Sequence, residues 1–132
     1  DGKESRDFVY IDDVIEATYK SIINTKIKID SFNVGSGEST SVNEIAAEIV
    51  SFFNSSSKIK KTAEFRIGDI RHNYADLTKA EKILKYNPIW SFNDGLEMFL
   101  NWTLSKPIPE LEFQKSLKEM ADIGLFKKAR KT

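Results

Sequence analysis

The residues best suited to chemistry lie in one short polar stretch, Arg66 to Asp76, which reads RIGDIRHNYAD. Arg66 carries a permanent positive charge, and its planar guanidinium can donate to two phosphate oxygens at once. Asp69 only accepts hydrogen bonds, which suits a ribose diol, and Gly68 permits a positive φ or a close backbone approach. These residue types predict a binding site for a nucleoside diphosphate. A turn closed by an internal Arg66–Asp69 ion pair explains the same residues, and the stretch alone leaves both interpretations open.

Other candidate residues are better explained by structural roles. Gly35-Ser36-Gly37 precedes a predicted helix as a dinucleotide-binding loop would, but Thr40 occupies the place of the third glycine, which favours a plain turn. Asp12 and Asp13 are expected to cap a helix rather than to act as an acid–base pair. His72 is expected to be a hydrogen-bonded structural residue, since no nucleophile can be named for it. No tyrosine is followed four residues later by lysine.

Composition excludes several classes of function. The chain has 132 residues with 20 basic and 20 acidic side chains, so its zero net charge argues against broad attraction to nucleic acid or membrane surfaces. It has no cysteine and a single histidine, which leaves no disulfide frame, no thiolate nucleophile, no zinc-finger spacing and no multi-histidine metal site. No apolar run approaches the roughly 20 residues of a membrane-spanning helix, and no signal peptide is evident, so a cytoplasmic location is expected. The basic run at 127–131 is expected to be a solvated terminus.

Local patterns predict an α/β layout of strand–helix–strand–helix–strand followed by helices only. Short β-branched or mixed runs predict three strands, at Phe8–Ile11, Ile29–Val34 and Lys58–Phe65. Apolar residues at helical spacing predict five helices, which begin near Asp12, at Ser41, Thr78 and Ser91, and after Pro109, the last ending at Gly124.

Capping signals support these helices. The pairs Ser41–Glu44 and Thr78–Glu81 have the spacing of a capping box, and Ser91 with Asp94 starts the fourth helix. Both tryptophans and most phenylalanines fall at helical spacing and are predicted to be core. Three short strands form a thin sheet for so many apolar faces, which suggests that part of this surface packs on something outside the chain.

With these pieces in place, the chain resembles the extended short-chain dehydrogenase/reductases that epimerise or dehydrate nucleotide sugars. The resemblance covers nearly the whole chain, in the order and spacing of the C-terminal portion of such enzymes. The tail is similar to the ending of some epimerases that act on deoxythymidine-diphosphate rhamnose. The segments that carry the match are GKESRDFVYIDDV, FNVGSGESTSVNEIA, RIGDIRHNYADLTKAEKIL, NPIWSFNDGLEMFLNW and the tail KSLKEMADIGLF. We therefore expect a nucleotide-sugar-binding C-terminal region over residues 1–110 and a C-terminal helix with a basic tail over 111–132.

The resemblance assigns roles to five residues. It implies that Arg6 and Arg66 hold the diphosphate of a UDP- or dTDP-sugar and that Asp69 takes the ribose. It also implies that Phe8 and Val42 lie near the base or ribose. Because residues two apart share a face of an extended strand, Phe8 is expected beside whatever Arg6 binds.

The resemblance also implies what the chain lacks. The N-terminal Rossmann half of the family, with its NAD-binding loop and Tyr-x-x-x-Lys pair, has no counterpart in this sequence. NAD is therefore expected in an intact parent enzyme and not on this chain, which supplies no catalytic residue and is predicted to be inactive alone. Apolar surface that the missing half would cover is expected to drive self-association. A stand-alone nucleotide-sugar-binding or regulatory module, and a fragment of a 4,6-dehydratase, remain the alternatives to an epimerase fragment.

Overall fold

A computed structural model describes residues 1–24, 26, 28–107 and 112–128. The described chain forms five helices: α1 (Ile11–Ile23), α2 (Val42–Phe52), α3 (Thr78–Leu84), α4 (Phe92–Leu104) and α5 (Phe113–Asp122). Its strands are short and form two separate two-stranded sheets: β1 (Ser5–Arg6) with β2 (Thr40–Ser41), and β3 (Glu64–Arg66) with β4 (Phe126–Lys128), both antiparallel. The α/β character predicted from the sequence is confirmed. None of the described helices is long and apolar enough to cross a membrane.

Strand β1 is the centre on which distant segments converge. On one side Ser5 pairs with Ser41 and Arg6 with Thr40. On the other side the Ser5 amide donates to the Arg71 carbonyl (2.9 Å), and Ser5 forms a parallel bridge with His72. The two residues of β1 therefore hold the start of α2 beside the stretch that follows β3.

The buried core is small and lies between α1 and α3. It consists of Ala17, Leu77, Ala80, Leu84 and Tyr86, against which Phe32, Val34 and Ala75 pack. Tyr86 is fully buried, and its hydroxyl donates to the carbonyl of Gly35 (2.8 Å). Burial raises the pKa of Tyr86 to about 12, with the negative charges of Asp13 and Asp7 adding to the shift.

The three predicted strands are wrong in whole or in part. Residues 7–10 form no strand, and α1 already begins at Ile11. The segment 28–34 has no regular structure, and only the end of Lys58–Phe65 enters β3. A strand is defined by its hydrogen-bonded partner, and within the described chain residues 7–10, 28–34 and 58–63 have no partner strand.

The expectation that both tryptophans and most phenylalanines are core is also wrong, because no tryptophan or phenylalanine side chain that the structure describes is buried. Trp102 is 55% exposed and Phe99 51%, and the two rings stack on each other at the surface of α4. Ile29 is 98% exposed. Helical spacing correctly groups Phe99 and Trp102 on one face of α4, but the described chain does not cover that face.

Two predicted caps are wrong and two are confirmed. Ser41 and Glu44 form the complete capping box of α2, and the Ser91 hydroxyl caps α4. At α3 the amide of Thr78 instead donates to Asp76 Oδ1 (3.0 Å), and Leu77 occupies the N-cap position without a side-chain bond. An Asx turn from Asp76, two residues before Thr78, thus replaces the expected capping box.

Asp12 and Asp13 do not cap α1. Tyr10 occupies its N-cap position, and no side-chain hydrogen bond caps that helix end. Asp13 is buried and instead accepts hydrogen bonds from the amides of Ile89 (3.0 Å) and Trp90 (3.2 Å), which fastens the segment before α4 to α1.

Candidate functional site

An open cavity of about 490 Å³ lies where the two small sheets approach each other. Strand β1 contributes Arg6, the first turn of α2 contributes Val42, strand β3 contributes Arg66, and the turn after β3 contributes Asp69. Four of the five residues assigned to nucleotide-sugar binding therefore line one cavity. Its volume lies in the range of about 300–1,000 Å³ typical of small-molecule sites.

Arg66 and Asp69 form an ion pair across a tight turn. The Asp69 amide donates to the Arg66 carbonyl (3.2 Å), and Gly68 adopts the positive φ of +87° that this turn requires. Arg66 Nη2 lies 2.9 Å from Asp69 Oδ1 and 3.1 Å from Oδ2, and Nε lies 3.1 Å from Oδ1. The internal pair considered from the sequence is thus present, and it faces the cavity. With side chains 55% and 44% exposed, the pair stabilises the turn by at most about 1 kcal/mol.

Arg6 presents a second guanidinium to the same cavity. Its Nη1 donates to the carbonyl oxygens of Ser5 (2.8 Å) and Arg71 (3.3 Å), which fixes the head group against β1. Within the described residues Arg6 takes part in no ion pair. Its positive charge is therefore held in place by neutral acceptors rather than neutralised by a carboxylate.

Arg71 is a third guanidinium on the cavity wall, and unlike Arg6 it is matched by acids. It contacts Asp1 (2.6 Å) and Glu4 (3.5 Å). The pKa of Glu4 is lowered mainly by a hydrogen bond from the backbone amide of Glu4 itself. The positive charges of the N-terminal ammonium and Arg71 lower this pKa further, whereas burial opposes the shift. Glu4 is therefore ionised at neutral pH.

Phe8 does not reach this cavity. Strand β1 ends at Arg6, so the two-residue alternation that predicted a shared face stops before Phe8. Phe8 instead packs edge to face on Phe92, with ring centroids 5.8 Å apart. It lines a separate apolar cavity of about 460 Å³ between α2 and α4.

Several cavity residues were not anticipated from the sequence: Glu4, Glu64, Phe65, Met120 and Phe126. Met120 of α5 and Phe126 of β4 come from the C-terminal region and reach the site only because β4 pairs with β3. The available signal was Gly124, whose positive φ of +74° ends α5 in the predicted left-handed cap and turns Leu125 and Phe126 back toward the domain.

The Gly35-Ser36-Gly37 loop is already occupied by an internal carboxylate. Asp7 accepts hydrogen bonds from the Ser36 amide (2.7 Å) and hydroxyl (2.6 Å), from the Gly37 amide (3.0 Å) and from the Ala75 amide (3.1 Å). Burial alone raises the pKa of Asp7, but these hydrogen bonds together outweigh it and lower the pKa. The loop therefore does not fit a cofactor phosphate, and the structure supports the plain turn.

His72 has the structural role expected of it. Its Nδ1 lies 2.9 Å from Ser5 Oγ, which in turn accepts a hydrogen bond from the Ser39 hydroxyl (2.7 Å). Ser5 is buried in β1, so this chain of contacts ties three segments together. No cluster of three or more potential metal ligands occurs among residues 1–24, 26, 28–107 and 112–128.

Comparison with known proteins identifies the family. The sequence model of the GDP-mannose 4,6 dehydratase family matches residues 1–99. The dTDP-L-rhamnose 4-epimerase of Burkholderia thailandensis is 32% identical over 102 residues, which are 77% of this chain and 28% of that protein.

Solved structures give the same result. The UDP-glucose 4-epimerase of Thermotoga maritima, crystallised with UDP-glucose, is similar with a TM-score of 0.69 and 30% identity over 80% of this chain and 33% of that one. The UDP-glucuronic acid 4-epimerase of Bacillus cereus, in complex with UDP-glucuronic acid and NAD, gives 0.67 and 31% over the same shares. The chain thus spans about a third of the length of these relatives. It belongs to the GDP-mannose 4,6-dehydratase family of extended short-chain dehydrogenase/reductases, the nucleotide-sugar epimerases and dehydratases.

Proposed function

We propose that this chain is the nucleotide-sugar-binding part of an NAD-dependent epimerase that acts on a UDP- or dTDP-sugar. Arg6 and Arg66 hold the diphosphate, Asp69 accepts from the ribose hydroxyls, and Val42 lies beside the nucleoside. The observation that carries the proposal is the convergence of two arginines, distant in sequence, on one cavity that also contains Asp69.

The charges of the cavity support binding of a dianion. Arg6 is fixed by carbonyl oxygens and keeps its full charge for a ligand. Arg66 is exposed, and exchanging part of its contact with Asp69 for a phosphate oxygen costs at most about 1 kcal/mol. A guanidinium–phosphate contact is charge-assisted and can be bidentate, so the exchange favours the ligand. Asp69 retains lone pairs for a ribose diol.

The hydride chemistry of the family lies outside this chain. NAD supplies hydride transfer in such enzymes. The one glycine-containing loop that resembles a phosphate-binding turn has its amides bound to Asp7. NAD and the catalytic tyrosine–lysine pair are therefore assigned to the N-terminal Rossmann half of a parent enzyme, and the chain is inactive alone.

Exposed apolar residues on α1 support the view that a partner covers this helix in an intact enzyme. Ile15, Tyr19 and Ile22 on one face of α1 are 57% to 75% exposed. Single exposed apolar residues are ordinary, but a contiguous row on a helix marks an interface. We propose that the Rossmann half packs on this face in an intact enzyme, and that a second copy of the chain packs on it when the chain is alone. Light scattering at tens of micromolar is expected to show oligomers, and a clean monomer would contradict this assignment.

Calorimetric titration of the chain with UDP and with dTDP tests the binding role. Arg6→Ala and Arg66→Ala should each weaken affinity about tenfold or more, since a hydrogen bond to a charged group contributes about 1.5–3 kcal/mol. Lys82→Ala, on an exposed position of α3, is the control of equal charge change and should bind as wild type. Absence of nucleotide binding, or unchanged affinity of Arg66→Ala, would refute the role.

Three versions of the proposal remain to be separated. An epimerase or 4,6-dehydratase fragment requires an upstream coding segment with a glycine-rich loop and a Tyr-x-x-x-Lys pair, whereas a stand-alone binding or regulatory module requires none. Joining that segment to the chain and assaying UDP-glucose or dTDP-glucose distinguishes epimerisation, which inverts the sugar carbon, from dehydration, which releases water.

A further inference from the structure

The C-terminal helix and strand form a strap that closes one side of the nucleotide cavity. The strap is defined here as α5 and β4 with the turn at Gly124 between them. The Gly124 and Leu125 amides donate to the carbonyls of Ala121 (2.9 Å) and Met120 (2.9 Å), which is the bond pattern of a Schellman turn. This turn reverses the chain and sets β4 alongside β3.

The register of the strap is fixed by pairing with the strand that carries Arg66. Arg66 stands opposite Phe126 in the β3–β4 ladder, and the Ile67 amide donates to the Leu125 carbonyl (2.8 Å). Directly opposite residues of an antiparallel pair project their side chains to the same face. The ring of Phe126 is therefore delivered to the same side of the sheet as the Arg66 guanidinium.

Phe126 and Met120 give the cavity an apolar wall. Both side chains are half-buried and line the cavity together with Val42, Phe65 and Ile70, whereas the charged groups come from the segment at β1 and from β3 with the turn that follows it. The matched family region ends at residue 99, so Met120 and Phe126 come from outside it. Phe8, which the resemblance implied to lie near the base or ribose, lines a different cavity.

We propose that the strap is the nucleobase-binding element of this site, with the base stacked on the ring of Phe126 and bounded by Met120 and Val42. The inference rests on the proposed function, because it takes the diphosphate at Arg6 and Arg66 as given. A base is the apolar, planar end of a nucleoside diphosphate, and it suits an aromatic face and a polarisable thioether. The sugar and ribose hydroxyls instead need hydrogen-bonding partners, which this wall does not supply.

The arrangement accounts for affinity without selecting a base. Stacking on an aromatic side chain tolerates every base, since each has a π-face. The strap therefore predicts that UDP and dTDP bind with similar affinity. It also predicts that the strap contributes nothing to a ligand that has phosphates but no base.

Comparison of UDP with inorganic pyrophosphate isolates this contribution. In calorimetric titrations of the whole chain, Phe126→Ala should weaken UDP binding about tenfold, within the range of about 1–3 kcal/mol measured for loss of one stacking side chain. Pyrophosphate affinity should stay within about twofold of wild type. Phe53→Ala removes an exposed ring that does not line the cavity and is the matched control. It should leave both affinities unchanged.

Two further variants keep the test decisive should Phe126→Ala disturb the strap. Phe126→Leu keeps an apolar side chain and removes the ring, whereas Phe126→Trp enlarges the ring. UDP should bind several-fold more tightly to the tryptophan variant than to the leucine variant, with equal pyrophosphate affinity. Equal UDP affinity of the two would overturn the inference. Wild-type UDP binding no tighter than pyrophosphate binding would also overturn it, and would leave the proposed diphosphate contacts of Arg6 and Arg66 standing. If wild type binds neither ligand, the proposed function itself fails, and the inference fails with it.

Discussion

Replacement of Asp7 by asparagine should weaken the attachment between three segments that the Asp7 carboxylate holds together. Four donors converge on its two oxygens: the Ser36 amide and hydroxyl, the Gly37 amide and the Ala75 amide, at 2.6–3.1 Å. Asparagine is nearly isosteric but offers one acceptor oxygen. Its NH₂ group would face backbone N–H groups that are themselves donors.

The expected loss follows from the number of bonds. One amide oxygen can keep about two of the four donors, so about two charge-assisted hydrogen bonds are lost. Hydrogen bonds to charged groups contribute about 1.5–3 kcal/mol each. Because Asp7 is only half-buried and water can replace part of the loss, we take the low end of that range. Asp7→Asn should therefore lower the free energy of unfolding by about 3 kcal/mol.

Urea unfolding followed by circular dichroism measures this change. The midpoint should fall with little change in slope, since the surface exposed on unfolding is similar. Asp12→Asn, which removes an exposed carboxylate from the first turn of α1, is the control and should cost less than about 1 kcal/mol. Asp7→Asn unfolding at the same midpoint as this control would refute the reasoning.

The pH dependence provides a second check on Asp7. Hydrogen bonding lowers the pKa of Asp7 in the folded chain, against the opposing effect of burial. A depressed folded pKa contributes stability that is complete above the unfolded pKa of about 3.9 and is lost as pH falls through the folded value. The difference in unfolding free energy between wild type and Asp7→Asn should therefore shrink as pH is lowered below about 4. A difference independent of pH would contradict this account.

Three further substitutions test the core and its attachments. Tyr86→Phe removes a buried hydrogen bond to the Gly35 carbonyl and should cost about 1–1.5 kcal/mol at pH 7. Because burial raises the pKa of Tyr86 to about 12, wild-type stability should fall between pH 10 and 12, and a scan of melting temperature against pH should show that fall weakened in the variant. Gly35→Ala places a methyl group against the Asp7 carboxylate and 2.7 Å from the Ala75 Cβ. It should therefore lower the free energy of unfolding, measured with urea, by about 1–3 kcal/mol. Asp13→Ala leaves the Ile89 and Trp90 amides without their acceptor and should speed hydrogen exchange at those two amides specifically.

Helices were predictable because their signals are local. The box of Ser41 with Glu44 and the cap of Ser91 over Asp94 depend on residues three apart, and both occur in the structure. The box predicted at Thr78 failed because Asp76 competes for the same amide. Asp13 was misassigned because its partners, Ile89 and Trp90, are distant in sequence.

The strands and the apolar wall formed by Phe126 and Met120 depend on partners that are distant in sequence, so local patterns did not predict them. The run Ile29–Val34 has strand composition, yet the described chain offers it no neighbouring strand. The turn from Arg66 to Asp69 was predictable because its residues are adjacent and chemically distinctive. Phe126 entered the site through its pairing with Arg66, which no short-range pattern reports.

The central claim is that Arg6 and Arg66 bind one diphosphate together, and the side-chain signals of the arginines test it most directly. The chain has only four arginines, so their Nε–Hε resonances in a ¹⁵N correlation spectrum can be assigned by single replacement with lysine. On titration with UDP, the signals of Arg6 and Arg66 should move together and saturate at the same ligand concentration. If either signal stays unmoved at UDP concentrations that saturate binding, the two guanidinium groups do not share a diphosphate, and the account is wrong.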